Sequence, residues 1–372
     1  MSMKSIYRGD TLSLEIYGQS HSATIGVVIR GLPEGVEPDK EETAAFMKRR
    51  APGQNKWSTP RSEKDEVIFD RKDDGSLEGY IVNTNTKPKD YASIMNKPRP
   101  SHADFTAPMI YGDDAARSGG GIFSGRMTAP LCIAGSIALQ QLSKRGITVA
   151  AHLKEVAGIC DKSYYDAAPL DSDMKASLSD VASKEFPVID DASGDRMKDA
   201  IEQARLDSDS VGGIIECVVY GMPEGIGGPL FYGIEGKIAQ IVYAIPAVKG
   251  IEFGNGFGCA KLRGSENNDS FVMGEGGQVL LGSNRSGGIL GGISVGGRCA
   301  PIVFDVAVKP TPSIGREQNT VDIKEKKDTT LVIEGRHDPC IAPRAVPVVE
   351  AACAVALYDM IITKERSKEQ EV

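Results

Sequence analysis

Residues 128–145 carry apolar side chains around much of a helical circumference, and Gly146 follows in the place of a C-terminal cap. A surface helix shows a polar stripe, so a helix lacking one has to be deeply buried. Residues 346–363 form a second long apolar helix with Pro347 tolerated in its first turn, followed by a charged tail, 364–372, expected to fray. A chain of 372 residues can bury a large core around such helices. Its 41% hydrophobic and 25% charged residues exclude disorder as the dominant state. No stretch approaches the roughly 18 uncharged apolar residues of a membrane span, and the N-terminus has no apolar leader core. A cytoplasmic protein without a membrane partner is the expectation.

Elsewhere, apolar alternation and flanking turn residues place strands at 12–17, 25–29, 213–220 and 302–308. Asp39 caps a helix running through Arg50, with Glu41 and Glu42 in its first turn and Lys48, Arg49 and Arg50 in its last. Residues 233–244 read as a helix stopped at Pro246, and the acidic stretch 171–209 as two surface helices, the second at about 196–206. Residues 51–100 are polar and poor in core, with room for a strand or two. Strands and helices do not alternate strictly, so the class is α+β rather than a doubly wound parallel sheet. No linker divides the chain, and 1–372 is expected to be one domain.

The chain has 43 basic and 51 acidic residues, a net charge of −8, so its surface as a whole does not suit nucleic acid, and any anion site must be local. Seven scattered cysteines, odd in number and never spaced CxxC, fit reduced thiols and no zinc site. Only four histidines exist. His21, His102 and His337 lie in polar, turn-rich contexts that suit proton transfer near neutral pH, while His152 lies in an ordinary alternating segment. Structural hydrogen bonding is the alternative for each, and their spacing lacks the pattern of common metal sites, so no metal is expected. Ser20 and His21 are adjacent and point apart, and no GxSxG elbow is present, which argues against a serine hydrolase.

Basic residues gather near these histidines in sequence: Lys48, Arg49, Arg50, Lys56 and Arg61, then Arg99, Arg117, Arg126 and Arg336. Convergent arginines would bind carboxylate and phosphate; otherwise they are solvated surface charges. Glycine is abundant at 42 residues, clustered at 118–121, 286–292 and 296–297. Such clusters present backbone N–H groups to an anion or simply make tight turns. None fits a P-loop, and 254–258 does not fit GxGxxG. From residue chemistry alone the chain is an anion-binding enzyme whose reaction stays open.

Taken in order, these segments resemble the chorismate synthase family: YGQSHS at 17–22, RRAPGQ at 49–54 with TPR at 59–61, RPSHAD at 99–104, residues 118–128, IPAVKG at 245–250, GGILGGIS at 287–294, KPTPS at 309–313 and GRHDPC at 335–340. The resemblance spans about residues 6–362. It implies a β-α-β sandwich of two sheets with surrounding helices, a homotetramer, and a lyase of the shikimate pathway to aromatic amino acids. The implied reaction is anti-1,4-elimination of phosphate from 5-enolpyruvylshikimate 3-phosphate to give chorismate. Reduced FMN is required without net redox change, and the cofactor carries the hard step. An FMN-dependent oxidoreductase (flavin reductase) and an inactive flavin-binding homologue are the alternatives.

By position, His21 matches the acid for the departing phosphate, His102 the one that protonates the reduced flavin, and Asp338 a proton acceptor near the flavin. Arg50 and Lys56 match contacts to NADP, NADPH being a reductant for the flavin. Arg49, Arg126 and Arg336 match groups that hold substrate. The implied flavin lining is Ser124, Pro246, Ala247, Gly291, Lys309, Pro310, Thr311, Pro312, Ser313 and Arg336. The chain departs from the family where Gln19 replaces Glu, Ser22 and Ser101 replace Gly, Ile122 and Phe123 replace a frequent Arg-Ser pair, and Lys56 replaces a frequent Arg. At Ile122 a charged flavin contact is lost.

Overall fold

Leu14, Ile25, Val27, Ile29, Leu77 and Ile81 turn to the interior, and the strands that carry them are hydrogen-bonded side by side. The computed structural model describes residues 5–51, 53, 65–83, 96–112, 120–165, 172–297, 299–333, 335 and 337–370. Lys56, Arg61, Arg117 and Arg336 lie outside the described residues. The first sheet contains β1 (Ser5–Arg8), β2 (Ser13–Tyr17), β3 (Thr24–Arg30), β4 (Ile68–Arg71) and β5 (Leu77–Val82), in the order β1-β2-β3-β5-β4. The second contains β6 (Thr148–Val156), β7 (Ile159–Cys160), β8 (Gly213–Tyr220), β9 (Val248–Phe253) and β14 (Ile302–Val308), in the order β7-β6-β8-β14-β9. Every pairing in both sheets is antiparallel, in keeping with the α+β class.

Two helices fill the space between the sheets. The first, α3 (Thr128–Ser143), packs on β3 and β5; the second, α8 (Ala342–Gln370), packs on α3, β6 and β8. The all-round apolar surface of 128–143 is thereby explained: it faces a sheet on one side and a helix on the other. By length and composition α8 could cross a membrane, yet all of its most apolar window is buried within the chain. Its two acidic side chains in that core are each satisfied. Glu350 accepts Arg49 at 2.6 and 2.9 Å and the amide of Ala151 at 2.8 Å. Asp359 accepts the amides of Asp10, Thr11 and Leu12 at 2.8, 2.9 and 2.6 Å. One helix thus fastens the β1–β2 turn and the second sheet to a common core.

The remaining helices are α1 (Lys40–Arg50), capped by Asp39, then α2 (Pro108–Tyr111), α4 (Ser172–Ser183), α5 (Asp191–Leu206), α6 (Ile234–Val242) and α7 (Gly264–Asn267). The described residues also form three hairpins: β10 (Phe271–Met273) with β11 (Val279–Leu281), β12 (Ile289–Leu290) with β13 (Ile293–Ser294), and β15 (Gln318–Asp322) with β16 (Lys327–Leu331).

Several expectations change. Residues 51–100 are less poor in core than their polarity suggests, because β5 inserts between β3 and β4 and buries Leu77 and Ile81. Helix α5 begins earlier than expected, where the Asp190 side chain accepts the Ser193 amide. Pro347 lies inside α8 rather than in its first turn. The charged tail is helical to Gln370 instead of frayed, held by Arg145 on Glu365 at 2.9 and 3.0 Å and by Arg366 on the Gly31 carbonyl at 3.1 Å.

Candidate active site

A cavity of about 940 Å³ opens beside the N-terminal ends of α3 and α8. Its wall combines β1 and β2, the 99–103 loop, the 122–128 segment, residues 240–249, the 309–313 segment after β14, and the start of α8. The 120–127 stretch can fold this tightly because Gly120 and Gly121 take left-handed φ values of +88° and +54°. Two short 3-10 turns then lead into α3, with the Ser124 hydroxyl accepting the Arg126 amide at 3.3 Å. Helix N-termini carry partial positive charge, which favours anions at this wall.

Side-chain charge reinforces that preference. Arg50, Arg99, Arg126, Lys249, Lys309 and Arg344 line the cavity among the described residues, against the single carboxylate Asp338. Asp65 ties two of these cations together: it accepts Arg50 in a very short contact and Arg126 at 2.5 Å. Burial pushes the Asp65 carboxyl up, but the charges of Arg50 and Arg126 outweigh it and hold its pKa below the usual value. Arg126 also donates to Asn83 at 3.0 Å, while Arg344 donates to Asp338 at 2.5 Å. The Lys309 ammonium has its pKa lowered, first by burial and then by neighbouring Lys249, and it donates to the Ser101 carbonyl at 2.5 Å.

His102 lies on the loop between Arg99 and Asp104. Its Nδ1 is 2.6 Å from Asp104 Oδ1 and 3.2 Å from Arg99 Nη2. Arg99 grips Asp104 through its own amide at 3.1 Å, Nε at 2.6 Å and Nη2 at 2.8 Å, and reaches Ser313 at 3.2 Å. Burial would raise the Asp104 carboxyl, yet hydrogen bonds from Arg99 and His102 hold it well below the carboxylate range. A Cβ built on Gly120 would sit 3.3 Å from His102 Nε2, so the glycine lets the loop close onto the ring.

Among the expected site residues, His102, Asp338, Ser124, Pro246, Ala247, Lys309, Thr311, Pro312, Ser313, Arg50 and Arg126 line this one cavity. Thr311 adds a buried hydroxyl with no partner in the described structure, as a wall completed by a polar ligand would. His21 is not part of the lining. It sits in a turn closed by Ser22, whose hydroxyl takes the Gln19 amide at 2.9 Å and donates to Thr24 at 2.6 Å. The neighbouring Ser20 amide donates to Gly121 at 3.2 Å, which docks the turn on the glycine loop. Arg49 also lies off the lining, paired with Glu350, and neither Gly291, in the β12–β13 turn, nor Pro310 lines it. Lys56 and Arg336 are outside the described residues.

Two departures have visible local consequences. Ser101 takes φ +58°, a left-handed value that costs a side-chain-bearing residue roughly 1 kcal/mol and suits glycine. Ile122 and Phe123 form an apolar part of the wall, with Phe123 edge-on to Tyr111 at 6.0 Å. The sequence reading missed Asp65 and Arg344. Asp65 had no local signal, since its partners lie 15 and 61 positions away; Arg344 follows GRHDPC by four residues.

Comparison with known proteins agrees with this architecture. The sequence model of the family described as Chorismate synthase matches residues 12–362. The chorismate synthase of Lancefieldella parvula is 43% identical over 366 residues, covering 95% of each chain. That of Thermococcus kodakarensis is 39% identical over 364 residues, covering 96% of this chain and 98% of its own. A crystal structure of chorismate synthase superposes with a TM-score of 0.71 at 23% identity, over 96% of this chain and 93% of that one. The fold, the cation-lined cavity and this full-length similarity together place the chain in the chorismate synthase family.

Proposed function

We propose that the cavity binds 5-enolpyruvylshikimate 3-phosphate beside reduced FMN and eliminates phosphate to give chorismate. The observation that carries this reading is that, among the described residues, six cations and one carboxylate line the cavity, around a histidine held by a second carboxylate. A substrate bearing a phosphate and carboxylates needs that charge, and a guanidinium fork suits both groups. The residues present fit a flavin: Ser124, Ala247, Lys309, Thr311 and Ser313 would hold it, with the unpartnered Thr311 hydroxyl offering a hydrogen bond. Reduced FMN, when bound, supplies electron density that lets phosphate leave although the neighbouring C–H is too weakly acidic for a simple base.

The chain's own residues do the rest. Arg126, Arg344 and Lys249 neutralise and orient the anionic groups of the substrate. His102 holds a proton at the cavity wall, Asp338 accepts one, and His21 supplies one to the departing phosphate from the turn docked on Gly121. Arg50 takes part in the reductant contact expected for NADPH. Chain 1–372 acts as one unit, assembled as a homotetramer in the cytoplasm. Anaerobic incubation with reduced FMN and 5-enolpyruvylshikimate 3-phosphate tests the reading. Chorismate formation is expected; no chorismate there, with NADPH oxidised when oxidised FMN and NADPH are supplied in a parallel reaction, would reassign the cavity to oxidoreductase chemistry.

A further inference from the structure

We propose that Asp104 is the positioning residue of His102: it keeps the proton on Nδ1, so that Nε2 is the nitrogen that gives and takes protons. This rests on the reading of His102 as a proton carrier. The geometry leaves little choice of tautomer. A guanidinium can only donate, so Nδ1 cannot both accept from Arg99 at 3.2 Å and donate to Asp104 at 2.6 Å. The shorter, charge-assisted contact prevails, and Nδ1 carries hydrogen.

Asp104 cannot turn away, because three bonds from Arg99 fix both of its oxygens. Arg99 is in turn buried and anchored on Ser313. The loop is also strapped at its other side, where Lys309 donates to Ser101. Arg99 and Asp104 thus meet the ring from its own loop, while Gly120 faces Nε2 from the glycine loop. Asp104 thereby fixes which ring nitrogen carries hydrogen.

The test is nitrogen NMR of the histidine rings in the full, unliganded chain, where only four histidines have to be distinguished and His102→Ala identifies the signal. Neutral His102 is expected as the Nδ1–H tautomer. In Asp104→Asn the amide donates toward the ring, so the tautomer is expected to switch to Nε2–H. Turnover should fall about 10²-fold with less than about threefold change in KM, and Asp104→Glu should restore the tautomer and most of the rate. Asp104→Asn should cost nothing further in the His102→Ala background. An Nε2–H tautomer in the wild-type chain, an unchanged tautomer in Asp104→Asn, or an equal loss in both backgrounds would overturn the proposal. A tautomer switch as expected, with His102→Ala turning over normally, would uphold the positioning and remove the catalytic reading instead.

Discussion

His21 and His102 share a side chain and differ in everything around it. His102 lines the cavity with a carboxylate on one nitrogen, whereas His21 stands off the lining, in a turn docked on the glycine loop where the Ser20 amide donates to Gly121. Replacing either with alanine is expected to slow turnover on the order of 10²-fold or more, as loss of a general acid does. Steady-state rates of both variants check this, and wild-type rates in both would remove the assigned roles. The histidines were legible because few residue types carry protons at neutral pH. The partners of His102 were within reach of the sequence too, since Arg99 and Asp104 flank it in one motif. Asp65 was not: the pairing of Arg50 with Arg126 across it exists only in three dimensions. Likewise, no spacing rule shows that Arg49 points to Glu350 while its neighbour Arg50 faces the cavity.

At the scale of elements, α8 shows how an apolar pattern and isolated acids cooperate. Its hydrophobicity was plain in the sequence, and burial followed. The purpose of Asp359 was not plain, because the three amides it accepts lie about 350 residues away in chain order. Asp359→Ala would remove the partner of the buried Leu12 amide and of two part-buried ones, at a cost of about 1–3 kcal/mol for the buried amide. Denaturant unfolding of the variant measures it, and a change below about 1 kcal/mol would show that water or a shifted turn replaces the carboxylate. The tail beyond residue 363 teaches the converse. Its charges suggested fraying, yet Lys364, Glu365 and Arg366 find partners on Gly225, Arg145 and Gly31. Tertiary contacts decided a helix end that local composition could not.

Across the whole molecule, the α+β class was readable from the order of elements, but the arrangement of two sheets around buried helices entered only through family resemblance. Sheet order depends on pairings between distant segments, such as β5 beside β3 and β14 between β8 and β9. One such pairing makes a pH-dependent feature: His152, Glu216, Asp305 and Glu252 face one another in register across β6, β8, β14 and β9. Burial pushes the Asp305 carboxyl from 3.8 up to about 6, more than the Lys154 contact at 2.6 Å pulls it down. The folded state therefore holds this proton more tightly than the unfolded chain, and stability falls as pH rises from about 4 through about 6. Asp305→Asn should match wild type at pH 4 and gain on it by pH 8, by up to about 3 kcal/mol. Thermal unfolding of both proteins at the two pH values reads this out, and a constant difference would contradict the assignment.

The central claim is that this cation-lined cavity performs a phosphate elimination in which flavin is needed but not consumed. Simultaneous measurement of phosphate, chorismate and flavin redox state in one anaerobic reaction tests it most directly. Equal amounts of phosphate and chorismate, with reduced flavin recovered at the end, are the predicted result. Phosphate without chorismate, or flavin oxidised in step with product, would contradict the account.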